Sequence, residues 1–240
     1  MQIAQRPHRS KQGSAVLMAI VAMALFAGMG LTALSLLTGD HANRTASLAN
    51  EQAQGLAQAG VEFAKNRIDQ GANPSVTNVR EGVGTFTVTA TPATNTLVSV
   101  GHVATQQKTY TLTTPFAKDC VALDTSQAHS AGRHIDGVKF TKSCLSKAVI
   151  TNWQLSWTPD LGERTTLLQV QGQQLTTLYD NPIGYSSGTV IDSVDYELKD
   201  NGTTPVNKID FDANVPAGKT YTLMMVMSDG SQVSSTFIDN

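Results

Sequence analysis

The sequence predicts an α+β chain: one long N-terminal helix, a small antiparallel sheet packed on its second half, and an all-β sandwich after them. Three observations predict it. Residues 14–38 carry no charged side chain, and an amphipathic helical pattern continues from there to residue 70. Beyond residue 70 the chain is rich in Thr, Ser, Val, Gly and Asn, which favours sheet because β-branched side chains fit a half-buried pleat. In that region short alternating stretches are separated by turn residues roughly every eight to twelve positions. At 240 residues the chain exceeds one typical domain, so an anchored helix plus one or two modest domains is expected. Charge is nearly balanced, 17 basic against 19 acidic residues, and no basic stripe points to nucleic acid.

A helix over residues 14–38 rises roughly 37 Å at about 1.5 Å per residue, enough to cross a bilayer core of about 30 Å. The run is too long for a secretory signal peptide, whose apolar core is about 7–15 residues. Arg6, Arg9 and Lys11 precede it, and the first acidic residue is Asp40. By the positive-inside rule the basic flank stays in the cytoplasm and everything after Asp40 lies outside. Residues 1–13 read as a polar, basic leader that is removed; an uncleaved cytoplasmic stub is the other reading. In residues 39–70, the second half of the helix, Ala53, Leu56, Ala57, Gly60, Val61, Ala64 and Ile68 recur at helical spacing. Glu51, Gln52, Glu62, Lys65, Asn66 and Asp69 fall mostly on the other faces. This half therefore has one face to bury. Gly71 and Pro74 stop the helix.

Lys11-Gln12-Gly13, followed by Ser14-Ala-Val-Leu-Met-Ala-Ile-Val and the amphipathic helix, resembles the N-terminus of a type IV pilin or pseudopilin precursor. The resemblance covers about the first 70 residues. It implies that a prepilin peptidase cuts between Gly13 and Ser14, that Ser14 becomes the methylated mature terminus, and that the helix partners other pilin subunits. Most members carry glutamate at the fifth mature position, where this chain has Met18. Its absence is similar to the PilX-type minor pilins and the K-type pseudopilin, as is the stretch Gln58-Ala-Gly-Val-Glu-Phe-Ala. Gly28, Gly30 and Gly39 each cost about 1 kcal/mol in a helix interior. They serve either close helix–helix packing or a segment that loses helicity on filament assembly, as the family does near this depth.

Residues 71–116 form the sheet of the head. The stretch 84–93 alternates, with Phe86, Val88 and Ala90 against Thr85, Thr87 and Thr89; strands at 96–103 and 108–116 follow, joined by a loop at 104–107. Residues 117–147 read as an irregular connector between two domains, closed by a disulfide. Cys120 and Cys144 are the chain's two cysteines and lie on the external side, where one disulfide is their simplest state. It would add about 3–4 kcal/mol by loop-closure entropy. Neither has a partner at zinc-type spacing.

Residues 148–240 carry the second β pattern. Trp153, Leu155 and Trp157 alternate, as do Leu168 with Val170, Val190 with Asp192 and Val194, Ile209 with Phe211, and Tyr221, Leu223, Met225 and Met227. Turns fall at Pro159-Asp-Leu-Gly, Gly172, Asp200-Asn-Gly, Pro216-Ala-Gly and Ser228-Asp-Gly-Ser, before a last strand at 233–238. About seven short strands at this spacing indicate an immunoglobulin-like sandwich with Trp153 and Trp157 as core anchors; a sugar- or surface-binding role for the tryptophans is the other reading.

No nucleophile elbow, phosphate loop or zinc-protease pair is present, so no catalytic residue, cofactor or metal ligand is expected. His102 reads as a solvated strand residue. His129 and His134, with Asp136 nearby, are a weak metal signal. Asp192, Asp195, Asp200, Asp210 and Asp212, with Asn214, lack calcium-loop spacing and read as a solvated strand edge. Asn43-Arg-Thr and Asn201-Gly-Thr match the glycosylation triplet, a pattern frequent by chance. The expected function is a minor pilin or pseudopilin in a type IV pilus or type II secretion-like filament, at the tip or in initiation. It would reside in the bacterial inner membrane before assembly and display its C-terminal domain for adhesion or partner contact. The alternatives are a single-pass membrane-anchored binding protein that never polymerises, and a surface hydrolase with an unrecognised site.

Overall fold

The computed structural model describes residues 12–176, 181–199 and 202–239. One helix, α1 (Gln12–Asp69), is followed among the described residues by antiparallel strands and two single 3-10 turns, at Pro92–Thr94 and Ala117–Asp119, which makes the chain α+β. The chain divides into two units, Met1–Glu51 and Gln52–Asn240.

The first unit contains the apolar part of α1. Its large side chains are exposed, among them Leu25, Phe26, Leu36 and Leu37. Its hydroxyls are satisfied by the helix itself: Thr32 Oγ1 donates to the Gly28 carbonyl at 3.1 Å, Ser35 Oγ to Thr32 at 2.9 Å and Thr38 Oγ1 to Leu34 at 2.9 Å. The first charges after the run pair with each other, Asp40 with Arg44 at 3.0 Å.

In the second unit the last turns of α1 bury the face the periodicity marks: Ala53, Leu56, Ala57, Val61, Ala64 and Ile68 are all 9 % exposed or less. Against them lies a meander of β1 (Val76–Glu81), β2 (Gly84–Thr91), β3 (Thr96–Val103) and β4 (Gln106–Thr113), in that order across the sheet. Helix and sheet approach so closely that glycine is required at the contact. A Cβ on Gly101 would stand 2.1 Å from the Ala53 carbonyl oxygen, and one on Gly60 would stand 2.9 Å from the Phe86 ring. Gly71 (φ +65°) ends the helix, with its N–H on the Ile68 carbonyl at 2.9 Å and that of Ala72 on Arg67 at 2.8 Å. This left-handed cap satisfies carbonyls the helix leaves open.

Strand β1 has no counterpart in the sequence reading. It is polar and interrupted: Asn78 has positive φ and the register shifts between Val76 and Val79, so no clean alternation survives. The β3–β4 hairpin is tighter than expected, because Val103 pairs with Gln106 across a two-residue turn at Ala104–Thr105.

The stretch 117–147 is also more ordered than a connector. It holds β5 (Val121–Asp124), β6 (His129–Ala131), β7 (His134–Asp136) and β8 (Lys139–Lys142). The remaining strands are β9 (Val149–Thr158), β10 (Thr165–Val170), β11 (Gln173–Thr176), β12 (Val190–Glu197), β13 (Gly202–Phe211), β14 (Thr220–Met227) and β15 (Gln232–Ile238). One sheet runs β11-β10-β13-β7-β6, with β8 joining β13 to β5; the other runs β12-β9-β14-β15. Both contribute to a single buried cluster, including Ile135, Phe140, Leu168 and Ile209 from the first and Trp153, Leu155, Tyr221 and Leu223 from the second. The face of β12 differs from expectation. Val190 and Val194 point outward at 56 % and 58 % exposure, and Ile191 and Tyr196 are the buried pair. A bulge between Asp192 and Tyr196 lets two such differently phased residues face one core.

Candidate functional site

Met18, the position where the pilin pattern has glutamate, is 73 % exposed in α1. The helix is long and apolar enough over Met18–Asp69 to cross a membrane, and none of its most apolar window is buried among the described residues. A Cβ on Gly28, Gly30 or Gly39 would meet nothing within 4 Å, so these glycines serve no contact within the described chain. With the hydroxyls of Thr32, Ser35 and Thr38 turned back onto the backbone, the surface offered by the described side chains from Met18 to Thr38 is hydrocarbon. Such a surface suits lipid, or another helix of the same kind. The backbone at Gly13 and Ser14 is helical. The side chains there, and Arg6, Arg9 and Lys11, lie outside the described residues.

Cys120 and Cys144 are bonded, with Cα atoms 5.5 Å apart. The bond closes the open end of the β5–β8 pair: Val121 faces Lys142, and the Ser143 N–H donates to the Cys120 carbonyl at 2.9 Å. The disulfide therefore reinforces a strand pair of the sheet rather than tethering a loop.

The other sequence-singled residues are not brought together. His134 Nε2 lies 3.2 Å from Asp136 Oδ2, whereas the His129 ring contacts the Gln127 carbonyl at 3.1 Å. Asp210 pairs with Lys208 at 2.9 Å, and Asp212 accepts the Arg164 N–H at 2.8 Å. Asp200 and Asn201 lie outside the described residues. Among the described residues no three His, Cys, Asp or Glu converge as metal ligands would. His102 sits half-buried on β3. Trp153 and Trp157 are 0 % and 3 % exposed, and Trp153 Nε1 donates to Thr176 Oγ1 at 3.1 Å, so both are core residues with no surface to offer a ligand.

Two arrangements escaped the sequence reading. The first joins the helix-and-sheet region to the C-terminal strands through the β14–β15 turn. The buried Asp229 carboxylate accepts the Ala117 N–H at 2.7 Å and both the N–H and hydroxyl of Ser231, at 2.9 and 2.6 Å. Ser231 Oγ in turn accepts the Lys118 N–H at 3.2 Å, and Ser228 Oγ donates to the Gly71 carbonyl. Nearby, burial pushes the Asp119 carboxyl up, but the Phe116 N–H and the Lys118 ammonium outweigh it and hold the group below the ordinary carboxylate value. The Ser228-Asp-Gly-Ser signal gives the turn; that its aspartate caps a segment more than a hundred residues upstream is tertiary information.

The second is a buried ion pair. Lys219 Nζ lies 2.6 Å from Glu163 Oε1, with side chains 1 % and 7 % exposed. Burial pushes the Glu163 carboxyl up, and the Lys219 bond together with backbone N–H donors more than offsets it. Two positions on from Lys219, burial and then the charges of Asp239 and Glu163 push the Tyr221 hydroxyl far above the usual tyrosine range.

No family model matches this sequence, and neither a curated protein nor a solved structure matches it significantly.

Proposed function

We propose that this chain is a type IV pilin-like subunit, a minor pilin or pseudopilin, anchored in the bacterial inner membrane before assembly and built into a pilus or type II secretion-like filament. The observation that carries the reading is the exposed apolar half of α1, on a helix whose other half is part of a folded head. Burying about 20 apolar side chains is worth tens of kcal/mol, so the rod stays in lipid until an equally apolar surface replaces it. Sister helices provide that surface, the prepilin peptidase cuts between Gly13 and Ser14, and the C-terminal strands face outward to meet a surface or partner. We read their two sheets and shared core as an immunoglobulin-like sandwich.

Met18 sets the position in the filament. In this family the fifth-position glutamate offsets the buried terminal amine of the subunit above, and an unpaired buried charge is costly. A subunit without that acid suits the top of the stack, at the tip or in initiation. The test is to isolate filaments from cells carrying an epitope-tagged copy and sequence the tagged protein's N-terminus. The reading expects a methylated Ser14 terminus and label at filament ends. A Met1 terminus with label only in the envelope would instead identify a single-pass anchored binding protein that does not polymerise.

A further inference from the structure

The Glu163–Lys219 pair lies where the two C-terminal sheets meet. Lys219 immediately precedes β14, and its carbonyl accepts the Asp239 N–H at 3.0 Å. Glu163 lies in the segment that enters β10 of the other sheet. An ammonium has three N–H donors, and among the described residues only Glu163 lies within hydrogen-bond distance of the Lys219 ammonium. Two charges are thus held out of water with one hydrogen bond between them, an arrangement whose desolvation cost is hard to recover. The remaining groups are placed for chemistry. Glu163 Oε2 accepts the Leu161 N–H at 3.1 Å, while Oε1 faces the amine. The Tyr221 hydroxyl is buried without a hydrogen-bond partner among the described residues, close enough to feel both Glu163 and Asp239.

We propose that Lys219 and Glu163 condense to an intramolecular amide that ties the two sheets together covalently. A proton passes from Nζ to Oε1, which neutralises both groups. The amine then attacks the Glu163 carboxyl carbon, and the Leu161 N–H holds the charge that develops on Oε2. A second proton moves from nitrogen to Oε1, which leaves as water. The C–Oε1 bond breaks, the C–Nζ bond forms, one hydrogen stays on the amide nitrogen, and no oxidant or further reactant is needed. The product replaces two buried charges by one neutral amide. For a protein displayed outside the cell the cross-link would resist separation of the sheets under load, but the proposal does not depend on the filament role.

The test is mass spectrometry of the full chain purified in detergent and reduced, intact and after trypsin. The expected result is a branched peptide joining the fragment that ends at Arg164 to the one containing Lys219, one water lighter than the two parts, with cleavage after Lys219 lost. Lys219→Met should then yield the unmodified Glu163 fragment. Linear fragments alone, with full cleavage after Lys219, would overturn the proposal. So would a water loss mapped to any other pair. Because the wild-type digest decides, a failure of the variant to fold leaves the test intact, and neither outcome bears on processing at Gly13.

Discussion

The two halves of α1 differ in what their apolar residues face. In the first half Leu25, Phe26 and Leu36 are 62 %, 75 % and 74 % exposed; in the second, Ala57, Val61 and Ala64 are 0 %, 1 % and 0 % exposed. The first half uses large side chains all round, as a helix surrounded by hydrocarbon does. The second confines small ones to a single stripe, because a sheet approaches within reach of Gly60 and Gly101. Size and distribution of apolar residues thus separate a surface left open among the described residues from one already used in the protein's own fold.

Placing one charge in each half should test this difference most sharply. Val61→Asp puts an unpaired carboxylate into the head, and about 4 kcal/mol or more of stability should disappear in a urea melt. Leu25→Asp should leave that melt within about 0.5 kcal/mol of wild type while costing about 2.5–3.5 kcal/mol in a membrane-insertion assay. If both substitutions destabilise the head equally, the halves are not distinct. Replacing both cysteines by serine should cost about 3–4 kcal/mol of head stability, read by the same melt, and leave membrane insertion unchanged. The smallest effect concerns Asp119. Its folded value lies below the ordinary carboxylate value of 3.8, so its contribution is fully present above that pH and is lost as pH falls through the folded value. Asp119→Asn should flatten this part of the acid-side loss in thermal melts; identical slopes for variant and wild type would remove the group from the account.

Much of this was legible in the sequence, for a physical reason in each case. The stripe from Ala53 to Ile68 and the alternation through Trp153, Leu155 and Trp157 or Tyr221 to Met227 persist over several turns or pairs, so periodicity marks the buried faces. Strands β5 to β8 are three or four residues each, too short for a period to emerge, and their apolar members Val121, Ile135 and Phe140 become core only through pairing with β13 and with each other. The β12 bulge hides its buried face in the same way. The Asp229 cap and the Glu163–Lys219 pair join residues far apart in sequence, 112 and 56 positions, and no local pattern encodes either.

The most direct test of the central claim is to place a photo-crosslinking amino acid at position 26, in the exposed half of α1. The account predicts adducts to lipid in membranes that hold unassembled protein, and adducts to the helices of other subunits in sheared filaments. Lipid adducts alone in every fraction, or adducts to the chain's own residues 52–240, would contradict it.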